Sequence, residues 1–244
     1  MCPVTPQNDY GPAWIDTFLR RRNPARTASE ISLISRWCPL PTYRRMLDVP
    51  SGLGRHANAL AAKGYSVTGV ERNLDLVAEA HLGALPGAVF LAGDIATLDR
   101  IEGAEGDFDA IICLWHSFGW FDDAGNDAVM RGFVQKLRPG GRLVLDVFHR
   151  GFFERHTGRR ERTVGHDNVI EIRRIHGNRE LVTIDFGEGR GLERFEWRLY
   201  LPEELIEDAR RAGLHCVSTC ARFDELIPAT DAEPTMQFLF ERRG

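Results

Sequence analysis

The segment Met46-Leu-Asp-Val-Pro-Ser-Gly-Leu-Gly-Arg-His-Ala57 constrains this chain more than any other. Residues 45–50 read as a short buried strand and the glycines at 52 and 54 as a tight turn. Residues 54–63 then read as a helix rich in alanine and leucine, stopped by Gly64. Glycine suits such a turn because, lacking a Cβ, it lets the backbone bend sharply and approach a ligand closely. The helix behind the turn offers unpaired N–H groups. Taken alone, the spacing GxGxxA also describes a dinucleotide-binding turn.

Strands and helices alternate around that segment. Residues 66–71, 88–92, 108–114 and 142–148 read as further strands, and 74–82 and 127–137 as helices, the last closed by Arg138-Pro139-Gly140-Gly141. Ahead of them, Thr27 and Glu30 have capping-box spacing, and Ile31, Ile34, Trp37 and Cys38 recur at helical intervals. Residues 1–44 are therefore expected to form a helical cap against the sheet or over its cleft. Nearly continuous apolar strands alternating with helices predict an α/β fold whose parallel sheet is covered on both faces. After His149 the pattern changes. Residues 169–175, 181–186 and 195–201 read as strands joined by turns such as His176-Gly177-Asn178, an antiparallel β meander. Pro202 opens a helix that Gly213 ends, and 215–222 with 236–241 are expected to close the sheet as a hairpin. The chain, 1–244, is read as a single domain with a meander inserted at 150–200.

Its 244 residues, 43% hydrophobic and 27% charged, suffice for a core without disulfides or metals. A net charge of −4 disfavours a nucleic-acid partner. Residues 150–198 hold eleven arginines, but nine acids are interleaved with them, as on a solvated mixed-charge surface. The five cysteines at 2, 38, 113, 216 and 220 form no CxxC pair, and the histidines at 149, 156, 166 and 176 lack paired ligand spacing, so no metal is expected. A polar, proline-bearing start and the lack of a long apolar run predict neither signal peptide nor membrane span, and a cytoplasmic location.

Three acids carry the chemistry. Asp48 ends the first strand just before the glycines, where a pyrophosphate would be repelled and a cationic ligand welcomed. Glu71 ends the second strand, placed to accept from a ribose diol, and Asp94 follows the third, placed to accept from an adenine amine. Each alone could be surface solvation. Together, at successive strand ends, they point to an adenosyl ligand.

On these residues the chain resembles the class I S-adenosylmethionine-dependent methyltransferases, in the bacterial branch whose first motif reads LDxxCGxGRHAxxLAxxGYxVTGxD. Here the stretch from Leu47 to Glu71 is LDVPSGLGRHANALAAKGYSVTGVE. The similarity continues through Gly93-Asp94-Ile95, Phe108-Asp109-Ala110-Ile111-Ile112, Ser117-Phe118-Gly119-Trp120-Phe121, Leu137-Arg138-Pro139-Gly140-Gly141-Arg142-Leu143 and Arg198-Leu199-Tyr200-Leu201-Pro202-Glu203-Glu204-Leu205. The resemblance implies a Rossmann-like, seven-stranded, mostly parallel sheet and methyl transfer to an N or O atom of a small molecule. It places Gly52 and Gly54 beneath the methionine part of S-adenosylmethionine, Asp48 near its amino group, Glu71 at the ribose and Asp94 at the adenine. Ser51, Arg72, Ile95 and Leu114 join the same site. Ser51 stands where cysteine is common and Glu71 where aspartate is, with size or charge nearly kept. The meander resembles the lid or dimerisation elements of small-molecule methyltransferases, which leaves a lid and a homodimer contact as its alternatives.

His116 follows the fourth strand and is the candidate general base, since histidine titrates near neutrality; packing or orienting a substrate is the alternative. His56 is read as structural support. Trp115, Trp120 and Phe121 are candidates for an acceptor pocket, although core packing explains them equally well. Arg198 and Tyr200 are candidate substrate contacts, with an exposed strand end as the plainer reading. An NAD-dependent oxidoreductase and a non-catalytic S-adenosylmethionine-binding protein remain the rival functions.

Overall fold

Strands that are apolar on both faces must be covered on both, and the chain supplies its covering helices in alternation. The computed structural model describes residues 9–21, 23–187 and 189–244; Cys2 and the first eight residues of the expected cap lie outside them. A helical turn, α1 (Pro12–Trp14), runs into a π turn at Ile15–Leu19, and α2 (Pro24–Trp37) follows. Then come β1 (Arg45–Asp48), α3 (Arg55–Ala61), β2 (Ser66–Glu71), α4 (Leu74–Leu82), β3 (Ala88–Ala92), a 3₁₀ segment at Ile95–Arg100, β4 (Phe108–Cys113), α5 (Asp123–Lys136) and β5 (Leu137–Phe148). The insertion comprises α6 (Arg150–Glu154) and strands β6 (Gly158–Val164), β7 (Asp167–His176), β8 (Arg179–Asp185) and β9 (Leu192–Arg198). Finally α7 (Pro202–Ala212), β10 (Leu214–Cys220) and β11 (Thr235–Arg242) return to the main sheet.

The seven-stranded sheet runs β10-β11-β5-β4-β1-β2-β3, with β11 antiparallel to both neighbours and the rest parallel. Strand alternation divides the core. Leu47, Val49, Ile111 and Leu145 pack with Phe133 of α5 and Leu205 of α7 on one face. Met46, Ala110, Ile112 and Val144 pack with Ile34 and Trp37 of α2 and Leu60 of α3 on the other. The chain reverses direction across the sheet between β1 and β4, and a crevice opens at their carboxyl ends, where open α/β sheets bind ligands. The four-stranded sheet β6-β7-β8-β9 lays Val182, Ile184, Phe195 and Trp197 against Ala13 and Trp120, with Trp14 and Phe18 alongside. It thereby roofs the crevice together with residues 10–18.

Several expectations are corrected. Thr27 and Glu30 do not cap α2: Asn23 does, its side chain accepting the Ala25 N–H, with Pro24 at the first helical position. That frees Glu30 for the role described below. Helix α5 begins at Asp123, four residues earlier than the pattern suggests, because Asp122 accepts the Gly125 N–H. Pro139-Gly140-Gly141 does not close α5 but lies within β5, whose register against β4 shifts between Phe108 and Ala110 to accommodate it. Strand β6 has no apolar alternation and is exposed for most of its length, which hid it from the pattern.

Gly119 ties the loop after β4 to the insertion. Arg198 donates its N–H to the Gly119 carbonyl at 2.7 Å. Gly119 has φ +105°, and a Cβ there would lie 2.8 Å from the Arg198 carbonyl oxygen. Gly119→Ala is expected to cost about 2–4 kcal/mol from strain and overpacking, lowering Tm by about 5–10 °C in a thermal melt.

Candidate active site

Two adjoining cavities occupy the crevice. The first, about 440 Å³, lies over the glycine turn and the ends of β2, β3 and β4, a size suited to a small ligand. Ser51, Gly52, Glu71, Arg72, Asp94, Ile95, Leu114, Trp115 and Trp120 all line it. The second, about 920 Å³, lies between the end of β4, α2 and the inserted sheet, and is lined by His116. Tyr10, Trp14, Arg55 and Trp115 border both cavities.

Glu71 is the polar centre of the first cavity. One carboxylate oxygen accepts the Gly52 N–H at 3.0 Å and the other the Asn73 N–H at 2.9 Å, so the acid at the end of β2 is held against the turn. Burial pushes its carboxyl above the ordinary range, against the pull of these N–H groups. Asp94 accepts the Ala96 N–H at 2.8 Å and leaves its carboxylate partly exposed at the rim. Gly54, with φ +75°, caps α3; a Cβ there would sit 2.3 Å from the Phe90 ring, so only glycine fits.

Asp48 lies beneath this cavity rather than on its wall, 1% exposed. Burial pushes its carboxyl up to about 7, opposed by the charge of Arg55, and Oδ2 has no hydrogen-bond partner. Ser51 Oγ, above it, is likewise buried without a partner. A cavity walled by a strand-end carboxylate, a rim carboxylate and an unsatisfied hydroxyl suits an adenosyl group with an ammonium, so the residues fit S-adenosylmethionine.

The second cavity begins where β4 ends. Trp115 and His116 both hold left-handed backbone, φ +61° and +62°, an arrangement costly for bulky residues. Asp146 fixes it, accepting the Trp115 N–H on Oδ2 at 3.0 Å, while its carbonyl accepts the His116 N–H at 3.2 Å. His116 stacks on Phe148 at 3.8 Å, its Nδ1 3.7 Å from Asp146 Oδ2. Burial pushes the Asp146 carboxyl up to about 7, against hydrogen bonds from Gln237 and the Trp115 N–H.

Glu30 organises the boundary between the cavities. Fully buried, it accepts from Arg55 Nη1 at 2.5 Å, Trp115 Nε1 at 3.0 Å and Arg26 Nε at 3.2 Å, and shares a hydrogen bond with His56 Nε2 at 2.8 Å. Burial alone would raise its carboxyl, but the hydrogen bonds and charges of His56 and Arg55 prevail and hold it at about 2. His56 thus bonds Glu30 while also lining the first cavity.

Arg198 and Tyr200 line neither cavity. Arg198, at the end of β9, pairs with Asp123 and Asp208, and Tyr200, just beyond it, is fully buried against Phe118. The pattern missed Tyr10, Trp14, Leu19 and Arg20, which close the first cavity from above. Their segment is pinned on one side by Glu193, which accepts the Gly11 and Trp14 N–H groups at 3.0 and 3.1 Å, and on the other by Arg20 on Glu79. No spacing signals contacts so distant in sequence. Arg55, also missed, stands inside the motif itself.

Residues 46–141 match the family described as "Methyltransferase domain". Human glycine N-methyltransferase is 32% identical over 124 residues, 45% of this chain; the match covers 41% of that relative's length, so the chain spans about two-fifths of it. Among solved structures, the CcbJ methyltransferase from Streptomyces caelestis superposes with TM-score 0.77 at 20% identity, over 95% of this chain and 96% of that one. An S-adenosylmethionine-dependent methyltransferase from Clostridium acetobutylicum gives TM-score 0.75 at 15% identity, over 94% and 96%. These two establish a shared fold.

Removing the Glu30 charge strips a buried cluster of its counter-ion. Glu30→Gln is expected to lose about 3–5 kcal/mol in urea unfolding at pH 7. Because the folded carboxyl sits at about 2 against an ordinary 4.5, this contribution is complete above pH 4.5 and disappears as pH falls toward 2. The gap between wild type and variant should accordingly narrow between pH 5 and pH 3.

Proposed function

We propose that this chain, whose residues 46–141 belong to the methyltransferase domain family, moves a methyl group from S-adenosylmethionine to an N or O atom of a small molecule. The observation that carries this reading is the pair of adjoining cavities. One is rimmed by the Glu71 and Asp94 carboxylates above the glycine turn, and the other faces His116 across Trp115. When bound, S-adenosylmethionine supplies a sulfonium-borne methyl, an electrophile that needs alignment more than activation.

Glu71 would hold the ribose hydroxyls with the acceptor capacity its carboxylate keeps beyond the backbone N–H groups it already accepts. Asp94, at the rim, would accept from the adenine amine. Ser51 lines the wall toward the methionine portion, with the buried Asp48 carboxyl behind it. Trp14, Trp115 and Trp120 exclude water, which strengthens every charge interaction inside.

His116 takes the proton that the acceptor nitrogen or oxygen gives up as it gains the methyl. Its ring stacks on Phe148 at 3.8 Å, with Nδ1 3.7 Å from Asp146 Oδ2. Asp146 is the positioning residue: it accepts both N–H groups of the left-handed turn from which the ring projects. The glycine relative named above acts on a small molecule at nitrogen, in keeping with a cavity of about 920 Å³.

S-adenosylhomocysteine at a hundred times its Kd is expected to stabilise the protein by about 2.7 kcal/mol and raise Tm by about 5–10 °C, with no response to NAD. Glu71→Gln should weaken that binding about tenfold. A melting shift with NAD and none with S-adenosylhomocysteine would end this reading. With methyl-labelled S-adenosylmethionine and a metabolite extract, label should pass to a small molecule. On that acceptor, His116→Asn is expected to lower kcat about a hundredfold with cofactor affinity retained. An undiminished kcat removes the base from His116.

A further inference from the structure

We propose that the second cavity takes an acceptor carrying an oxyanion, a carboxylate or a phosphate, held by Arg160 and Arg162 of the inserted sheet, with its apolar body on Phe148, Phe152 and Trp197. The inference rests on the methyl-transfer reading and names the class of its substrate.

Seven arginines and only three glutamates line the cavity, with no aspartate or lysine among them. Two further carboxylates stand against that wall. Asp167 pairs with Arg21, and the fully buried Glu180 with Arg173. Glu171 bridges Arg162 and Arg173, and Glu233 holds Arg222. Two positive charges remain in excess. One belongs to Arg26 and Arg55, which share Glu30; Arg55 Nη2 is buried without a partner. The other is Arg160, whose side chain makes no hydrogen bond or close ion pair among the described residues, only the Glu180 carboxyl feeling its charge, and which lines the cavity from β6. Strand alternation puts Arg160 and Arg162 on one face, opposite Glu171 and Val169 of β7. That is the face that carries Val182, Ile184 and Trp197 into the same cavity. Two guanidiniums two residues apart on an edge strand, above an aromatic floor, match a planar or tetrahedral oxyanion on an apolar stem. An ammonium there would meet the same excess as repulsion.

The test is calorimetry on the full chain, with and without saturating S-adenosylhomocysteine, using four probes: 3-phenylpropanoate, phenyl phosphate, the neutral 3-phenylpropanamide and 3-phenylpropylammonium. The two anions are expected to bind about tenfold or more tighter than the amide, and the ammonium more weakly still. Whichever anion prevails identifies the source of the oxyanion. Arg160→Gln and Arg162→Gln, the first an exposed residue and the second leaving Glu171 its bond to Arg173, should each abolish most of that preference. Both should leave S-adenosylhomocysteine uptake unchanged. Equal or absent binding of anions and amide, or a preference that survives both substitutions, overturns the proposal. Failure of S-adenosylhomocysteine itself to bind would count against methyl transfer instead.

Discussion

One buried carboxylate holds three separate parts of this molecule in register. Glu30 projects from α2 and binds Arg55 and His56 on α3 together with the Trp115 indole at the end of β4. Removing such a charge from water costs several kcal/mol, which is recovered only when charged and hydrogen-bonding partners surround it. The cap helix, the helix behind the glycine turn and the strand that separates the two cavities cannot shift relative to one another without uncovering that charge. The wall between the two cavities is held by these same contacts.

Burial acts in the opposite sense on the two acids beneath the site. Asp48 and Asp146 lack a strong cationic partner and are both pushed up to about 7. Asp146 still accepts the Trp115 N–H and a hydrogen bond from Gln237, and so maintains the left-handed pair Trp115–His116. That pair places an indole and an imidazole, their centroids 6.5 Å apart, at a single strand end. Glu30 and Asp146 thus grip the side chain and the backbone of the same tryptophan.

Much of the architecture was legible in local pattern. The apolar strands, their alternation with helices, the change to a meander after His149 and the helix from Pro202 to Gly213 follow from periodicity and from glycine and proline at element ends. Of the site, Ser51, Gly52, Glu71, Arg72, Asp94, Ile95 and Leu114 line the first cavity because strand-end acids and a glycine turn announce themselves over a few residues. Where local cues competed, the pattern misled. Thr27 and Glu30 had capping spacing, but Asn23-Pro24 supplied the stronger start. Strand β6 offered charge where alternation was sought, since an edge strand with solvent on one side needs few apolar residues.

The sequence by itself determined the sheet, the turn and the acids at its edge, because each depends on neighbours within a few positions along the chain. Only the tertiary structure decided which charges lose water and which partners they find. It made Glu30 a hub, put Tyr200 into the core and Arg198 into ion pairs with Asp123 and Asp208, and set Arg160 in the wall of the cavity that His116 also lines. Burial and pairing arise between residues far apart in sequence, and their energies appear only when those residues meet.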